Sequence, residues 1–196
     1  MTVVGIVGGI ASGKSFICRA LAGRGAEWID ADQIAHEMLK RKSIKEQIRT
    51  FWGNEVFQDG EIDRRRLAEA VFAEGNTASA ERLNAILHPL ILGEIKSRLS
   101  ACRARKAPLI LIDAPLLFET GLDRLCDHVL FVEADFRIRA QRVASRGWSA
   151  EELRLRQNRQ ISLEEKKRRA DLFIDNSGSA EQVEAQLNFL FPPQNS

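Results

Sequence analysis

Val3-Val4-Gly5-Ile6-Val7-Gly8-Gly9-Ile10-Ala11-Ser12-Gly13-Lys14-Ser15 is the stretch that decides the fold. Its first five residues are a short apolar run rich in β-branched side chains, the pattern of a parallel strand buried on both faces. Gly8–Ser15 then fits G-x-x-x-x-G-K-[ST], and a helical pattern with Ile17 and Leu21 on one side follows over residues 14–24. Strand, glycine loop and helix together are the setting in which this motif holds phosphate. The glycines let main-chain N–H groups turn inward, and the helix start adds the positive end of its dipole. Gly9, Ile10, Ala11, Ser12, Gly13, Lys14, Ser15 and Phe16 are therefore candidate contacts for a nucleoside triphosphate such as ATP. Lys14 is placed to reach the β/γ-phosphates, and the Ser15 hydroxyl to hold Mg²⁺.

Working outward, Ala26-Glu27-Trp28-Ile29 is a second short strand ending in Asp30-Ala31-Asp32. Leu109–Asp113, Val129–Val132 and Leu172–Asp175 repeat the buried-strand pattern, and Ala180–Leu190 reads as a closing helix. Strands alternating with helices predict an α/β, three-layer fold on a five-stranded parallel sheet with right-handed crossovers. Residues 33–108 read as mostly helical, with His88-Pro89 breaking the pattern, and residues 135–170 as a second helical stretch. The expected organisation is one domain over 1–196, carrying a helical substrate-binding insertion at about 33–108 and a lid at about 135–170.

The 196 residues are enough to bury a core, and 44% hydrophobic with 29% charged residues excludes a disordered chain. The net charge of +2 argues against a protein whose main work is coating nucleic acid. Charge is unevenly spread: Arg137–Arg169 holds eleven Lys and Arg against four Glu, while the rest holds 18 against 23. Cys18, Cys102 and Cys126 show no C-x-x-C pair, so inert thiols in a reducing compartment are expected. The apolar N-terminus lacks a basic leader and is broken by glycines, and no apolar run approaches the ~20 residues of a membrane helix. A cytoplasmic protein with no membrane partner is the expectation.

Several side chains outside the loop have the chemistry that phosphoryl transfer needs. Asp30 and Asp32 follow a strand end, where ligands of open α/β sheets bind, and a persisting strand would put both on one face. Either can take a proton from an attacking hydroxyl, or cap the helix expected near Gln33. Asp113 ends an apolar strand, in position to serve a metal through water or to contact substrate. Arg142 and Arg146, four residues apart on a helix, can face one phosphate cluster and close a lid that excludes water. Trp148 can stack on a base or anchor that lid. Lys166–Arg169 reads as a solvated charge run.

The order of motifs resembles the dephospho-coenzyme A kinase family over nearly the whole chain. The residues carrying the resemblance are Gly8–Ser15, Ile29–Ala35, Asp63-Arg64, Leu87-His88-Pro89, Asp113 with Pro115-Leu116-Leu117 and Glu119, Gln141-Arg142 with Arg146, Arg156 with Gln160, and Ala170-Asp171 with Asn176 and Gly178. It implies ATP-dependent phosphorylation of the ribose 3′-hydroxyl of dephospho-coenzyme A. It implies Asp32 as base, with Lys14, Arg142 and Arg146 as the catalytic cations. It adds Asn176 to the ATP contacts, and assigns Asp30, Arg64, His88, Asp113, Leu116 and Leu117 to the acceptor. The expected partner is that small molecule, with no nucleic acid, and the expected state a monomer or weak homo-oligomer. Ala11 stands where the family usually has glycine, so alanine-compatible backbone angles are expected there. Two other classes remain on the residues alone: another small-molecule or nucleotide kinase, and a nucleotide switch protein. No Asn is followed by Lys, which counts against a guanine-specific switch.

Overall fold

The computed structural model describes residues 1–72, 77–145, 147–158 and 160–192. β1 (Thr2–Gly8) leads through the glycine loop into α1 (Lys14–Ala22), and β2 (Glu27–Asp30) runs directly into α2 (Ala31–Leu39). There follow α3 (Lys42–Trp52), a hairpin of β3 (Phe57–Gln58) and β4 (Glu61–Ile62), α4 (Arg64–Phe72) and the long α5 (Thr77–Ala104). β5 (Leu109–Asp113) and β6 (His128–Glu133) precede α6 (Phe136–Ala144), α7 (Ala150–Gln157) and α8 (Leu163–Arg168). β7 (Leu172–Asp175) and α9 (Ala180–Leu190) close the chain.

Five strands form a parallel sheet in the order β2-β5-β1-β6-β7, which is the expected α/β architecture. β1 is central because its residues from Val3 to Val7 are buried and carry no polar side chain to hydrate. On one face, Val4, Ile6, Leu111, Leu130, Val132 and Ile174 pack with Ile17, Cys18 and Leu21 of α1 and Val183 and Leu187 of α9. Burying each such side chain contributes about 1.5–3 kcal/mol, enough to hold both helices against the sheet. Ser179 and Gln182 form a capping box that starts α9.

The chain divides into two compact units, one of Met1–Asp30 with Leu99–Ser196 and one of Ala31–Arg98. The sheet belongs to the first. In the second, Ile44, Ile48 and Trp52 recur every four residues on α3 and are buried, with Ile34, Met38, Leu67 and Val71 from neighbouring helices. Arg98 ties α2 to α5 by pairing with both Glu37 and Glu94, and Asp63 caps α4 by accepting from the Arg65 and Arg66 amides. Those amides, Arg66 first, hold the Asp63 carboxyl below its ordinary value.

Two local expectations fail for physical reasons. Pro89 does not break the helix: α5 runs through it for 28 residues. Leu87 before it and Ile95 after it are both buried, so one continuous apolar stripe offsets the lost hydrogen bond. β2 does not persist past Asp30, so period-two placement does not apply to Asp32, which lies in the first turn of α2.

Candidate active site

The phosphate loop leaves the C-terminal end of the central strand and is braced from three sides. Within it, the Ser12 amide donates to Gly9 O (3.1 Å) and the Phe16 amide to Gly13 O (2.9 Å). Lys14 Nζ lies over the start of the loop, donating to Gly9 O at 3.2 Å and Gly8 O at 3.5 Å. From the end of β7, the buried Asn176 donates through Nδ2 to Ser12 O at 2.7 Å. Gly13 has φ +96°, and a Cβ there would stand 2.0 Å from that same Nδ2, so geometry and space both demand glycine. Ala11 was expected to have ordinary angles but adopts φ +61°, a left-handed conformation that costs an L-residue roughly 1–2 kcal/mol. Ser15 and Phe16 are exposed in the first turn of α1.

Arg142 reaches this loop from α6. Its Nη1 donates to Ser12 O (3.1 Å) and Ala11 O (3.3 Å), and its Nη2 to Asn176 O (2.9 Å). The guanidinium thus ties the loop to the end of β7 through main-chain carbonyls. Arg146 lies outside the described residues. Trp148 is half-buried with the Arg156 guanidinium 4.0 Å above its ring, an anchoring arrangement.

Register brings two predicted carboxylates together: Asp30 pairs with Asp113 across β2 and β5, and Asp113 pairs with Ile6 of β1. Beneath them Cys18 Sγ donates to Asp113 Oδ2 at 3.8 Å. Burial first, then the Asp113 and Asp30 charges, push the Cys18 thiol far up, so it stays protonated. Leu116 is half-buried, whereas Leu117 is fully buried with its Cδ2 against Gly5 and belongs to the core. In the other unit, Asp32 is exposed on α2, His88 is half-buried on α5, and the exposed Arg64 places Nη1 3.2 Å from His36 Nδ1.

Three side chains at this site escaped the sequence reading. Lys166 stands in a run that reads as a solvated face, yet it is 1% exposed, because one turn of α8 points it inward. Its Nζ donates to Gln160 Oε1 (2.6 Å) and Pro115 O (3.2 Å), and Glu119 Oε1 accepts from the Ile161 amide (3.1 Å). Burial, with a smaller push from Lys14 against the pull of Glu119, brings Lys166 down to about 8. Arg139 and Gln157 meet at the loop as well: Arg139 Nη1 donates to Gln157 Oε1 (3.3 Å), which also accepts from the Ile10 amide (3.2 Å). No short motif links residues 18 apart, so only the folded chain reveals this pair.

Among the described residues no group of three or more His, Cys, Asp and Glu could hold a metal ion. Exposed Ser15 beside the Gly13 cradle offers the hydroxyl that suits Mg²⁺ arriving with a nucleotide, which keeps most of its ligands as phosphates and water. Among the described residues no helix is long and apolar enough to cross a membrane.

A G-x-x-x-x-G-K-S loop between the central strand of a parallel sheet and its following helix defines a P-loop protein. A shikimate kinase from Acinetobacter baumannii shares the fold, with a TM-score of 0.55 at 16% identity over 100% of this chain and 96% of that one. The family model described as CoaE, dephospho-CoA kinase, matches residues 2–182. The chain belongs to the dephospho-CoA kinase family. It is 40% identical to the dephospho-CoA kinase of Latilactobacillus sakei over 186 residues, covering 94% of this chain and 91% of that protein. The dephospho-CoA kinase structure from Campylobacter jejuni superimposes with a TM-score of 0.69 at 25% identity, over 96% of this chain and 94% of that one.

Proposed function

We propose that this chain moves the γ-phosphate of ATP to the ribose 3′-hydroxyl of dephospho-coenzyme A, giving coenzyme A and ADP. The observation that carries the reading is a P-loop on the central strand, with the Asp30–Asp113 carboxylate pair one strand away, in a chain of this family. Loop amides from Gly9 to Ser15 hold the triphosphate, and Lys14 neutralises charge that develops between the β- and γ-phosphates. Phe16 and Asn176 complete the nucleotide contacts. Mg²⁺, carried in with ATP and held by Ser15, supplies further neutralisation of phosphate charge. Asp32 accepts the proton of the 3′-hydroxyl as its oxygen bonds to phosphorus and ADP departs.

Asp30, Asp113 and Leu116 orient the acceptor, with Leu117 packed in the core. Arg64 and His88 are further acceptor contacts, both within the expected helical insertion of residues 33–108. Arg142 and Arg146 belong to the lid of residues 135–170. Arg142 acts by holding the loop in shape, and Arg146 by facing the transferring group. The enzyme is read as cytoplasmic, a monomer or weak homo-oligomer, with neither membrane nor nucleic acid as partner.

An ADP-release assay across dephospho-coenzyme A, shikimate and nucleoside monophosphates tests this. Only dephospho-coenzyme A should be turned over rapidly, and a preference for another acceptor sinks the substrate assignment. Asp32→Asn should keep ATP affinity and lose on the order of 10²-fold or more in kcat. Unchanged kcat would remove the base from Asp32.

A further inference from the structure

The phosphate loop carries a side-chain oxygen on one of its own amides. Ile10 N–H donates to Gln157 Oε1 at 3.2 Å, and Arg139 Nη1 donates to the same oxygen at 3.3 Å. Gln157 ends α7 and Arg139 lies in α6, so both come from the segment between β6 and β7. Arg139 is 7% exposed, and among the described residues it makes no ion pair; its other acceptor is the neutral Ala134 O, from Nε at 3.2 Å. Gln157 Nε2 is enclosed and has no hydrogen-bond partner among the described residues. The approach to the loop is close, since a Cβ on Gly9 would fall 2.6 Å from Arg139 Nη1.

A main-chain amide of a phosphate loop and a buried guanidinium therefore converge on Gln157 Oε1, and the same side chain carries an unmet amide donor. That donor set is what a phosphate oxygen takes. Leaving a buried donor such as Gln157 Nε2 unmet is costly, and an anion beside it would meet it. Lys14 marks which phosphate is concerned. A P-loop lysine reaches the β/γ end of the triphosphate, and Lys14 Nζ rests on Gly8 O and Gly9 O, immediately before Ile10.

We infer that Gln157 is a built-in competitor for the terminal phosphate of ATP, its Oε1 holding the Ile10 amide and Arg139 until a γ-phosphate oxygen displaces it. Arg139 then contacts the γ-phosphate directly, and the end of α7 is released from the loop. ADP has no phosphate at this position and leaves the Gln157 contact intact. The pair thus gives ATP-over-ADP discrimination and couples it to the lid segment. This rests on the nucleotide reading proposed above.

Calorimetric titration of the full chain with ATP and with ADP, each with Mg²⁺ and without acceptor, reads the effect as a ratio of affinities. Gln157→Met keeps a helix-compatible side chain but removes the competing oxygen. It should tighten ATP about three- to tenfold and change ADP less than twofold. Gln157→Glu sets a carboxylate on Arg139 and should weaken ATP tenfold or more while ADP moves less. Arg139→Met should weaken ATP about tenfold with ADP unchanged. If Gln157→Met and Gln157→Glu both leave the ATP/ADP ratio at its wild-type value, the inference is wrong even though nucleotide binding stands. Wild-type protein that binds neither nucleotide overturns the nucleotide reading itself, and this inference with it.

Discussion

The α6 and α8 helices draw on the same arginine- and lysine-rich stretch and use its cations in opposite ways. On α6, Arg139 and Arg142 turn inward and bond to neutral oxygens: Ala134 O and Gln157 Oε1 for one, Ala11 O, Ser12 O and Asn176 O for the other. On α8 and just after it, Lys167 pairs with Glu133 and Arg168 with Glu165 in solvent, and Arg169 pairs with the half-buried Asp123. Exposed pairs of this kind contribute little, because water screens them and side-chain entropy opposes them. A cation that has given up water for main-chain carbonyls holds those carbonyls in place and leaves its charge uncancelled beside the loop. The lesson is that these cations divide by partner type, and the two on α6 that bond to neutral oxygens are the ones that reach the phosphate loop. Lys166 crosses the divide. It stands on α8 but is bonded as the α6 arginines are.

Arg142→Ala should produce the largest loss. Three carbonyls lose a charged donor and the loop is untied from β7, so stability should fall about 2–4 kcal/mol by urea unfolding, with a raised KM for ATP. An unchanged midpoint would erase the distinction between the two helices. Lys166→Met comes next, and its signature is in the pH dependence. The folded-state value of Lys166 lies near 8, below an ordinary lysine near 10.5, so the cost of burying its charge is fully present below pH 8. Between about pH 8 and 10.5 the unfolded chain binds the extra proton, and wild-type stability should rise relative to Lys166→Met by about 3 kcal/mol. Parallel curves for the two proteins would place Lys166 with the solvated cations. Ala11→Gly should stabilise by about 0.5–1 kcal/mol, because glycine accepts φ +61° and gives back only part of that gain as unfolded-chain entropy. The gain should shrink in an Arg142→Ala background, since Arg142 holds Ala11 O. Arg168→Ala, fully in solvent, should leave the unfolding midpoint and kcat unmoved at 0.15 M salt.

The sheet was legible because its strands are short apolar runs whose polar residues are confined to the ends. The loop was legible because its chemistry is contiguous: eight residues specify where the phosphates go. Legibility ended where the outcome depends on distant packing. Asp30 and Asp113 each read as strand ends, but their adjacency is a matter of register between residues 83 apart in the chain. Pro89 reads as a helix break until the buried stripe on either side is seen to carry α5 through. Lys166 is indistinguishable from Lys167 by composition, and only the rotation of one helical turn separates them. The left-handed Ala11 is set by the loop's closure and by Arg142, not by alanine's own preference.

β1 has a partner on each edge, β5 on one side and β6 on the other, and its residues from Val3 to Gly8 are buried. Its amides cannot meet solvent by fraying; they open only when the whole sheet does. In deuterium the amides from Val3 to Gly8 should therefore exchange last, at the rate set by global unfolding, while those of α7 and the exposed end of α9 exchange by local opening. The loop that begins at Gly8 is thus hinged to the slowest-exchanging strand, and the segment that touches it from α7 belongs to the faster population. Turnover can move the second many times without disturbing the first.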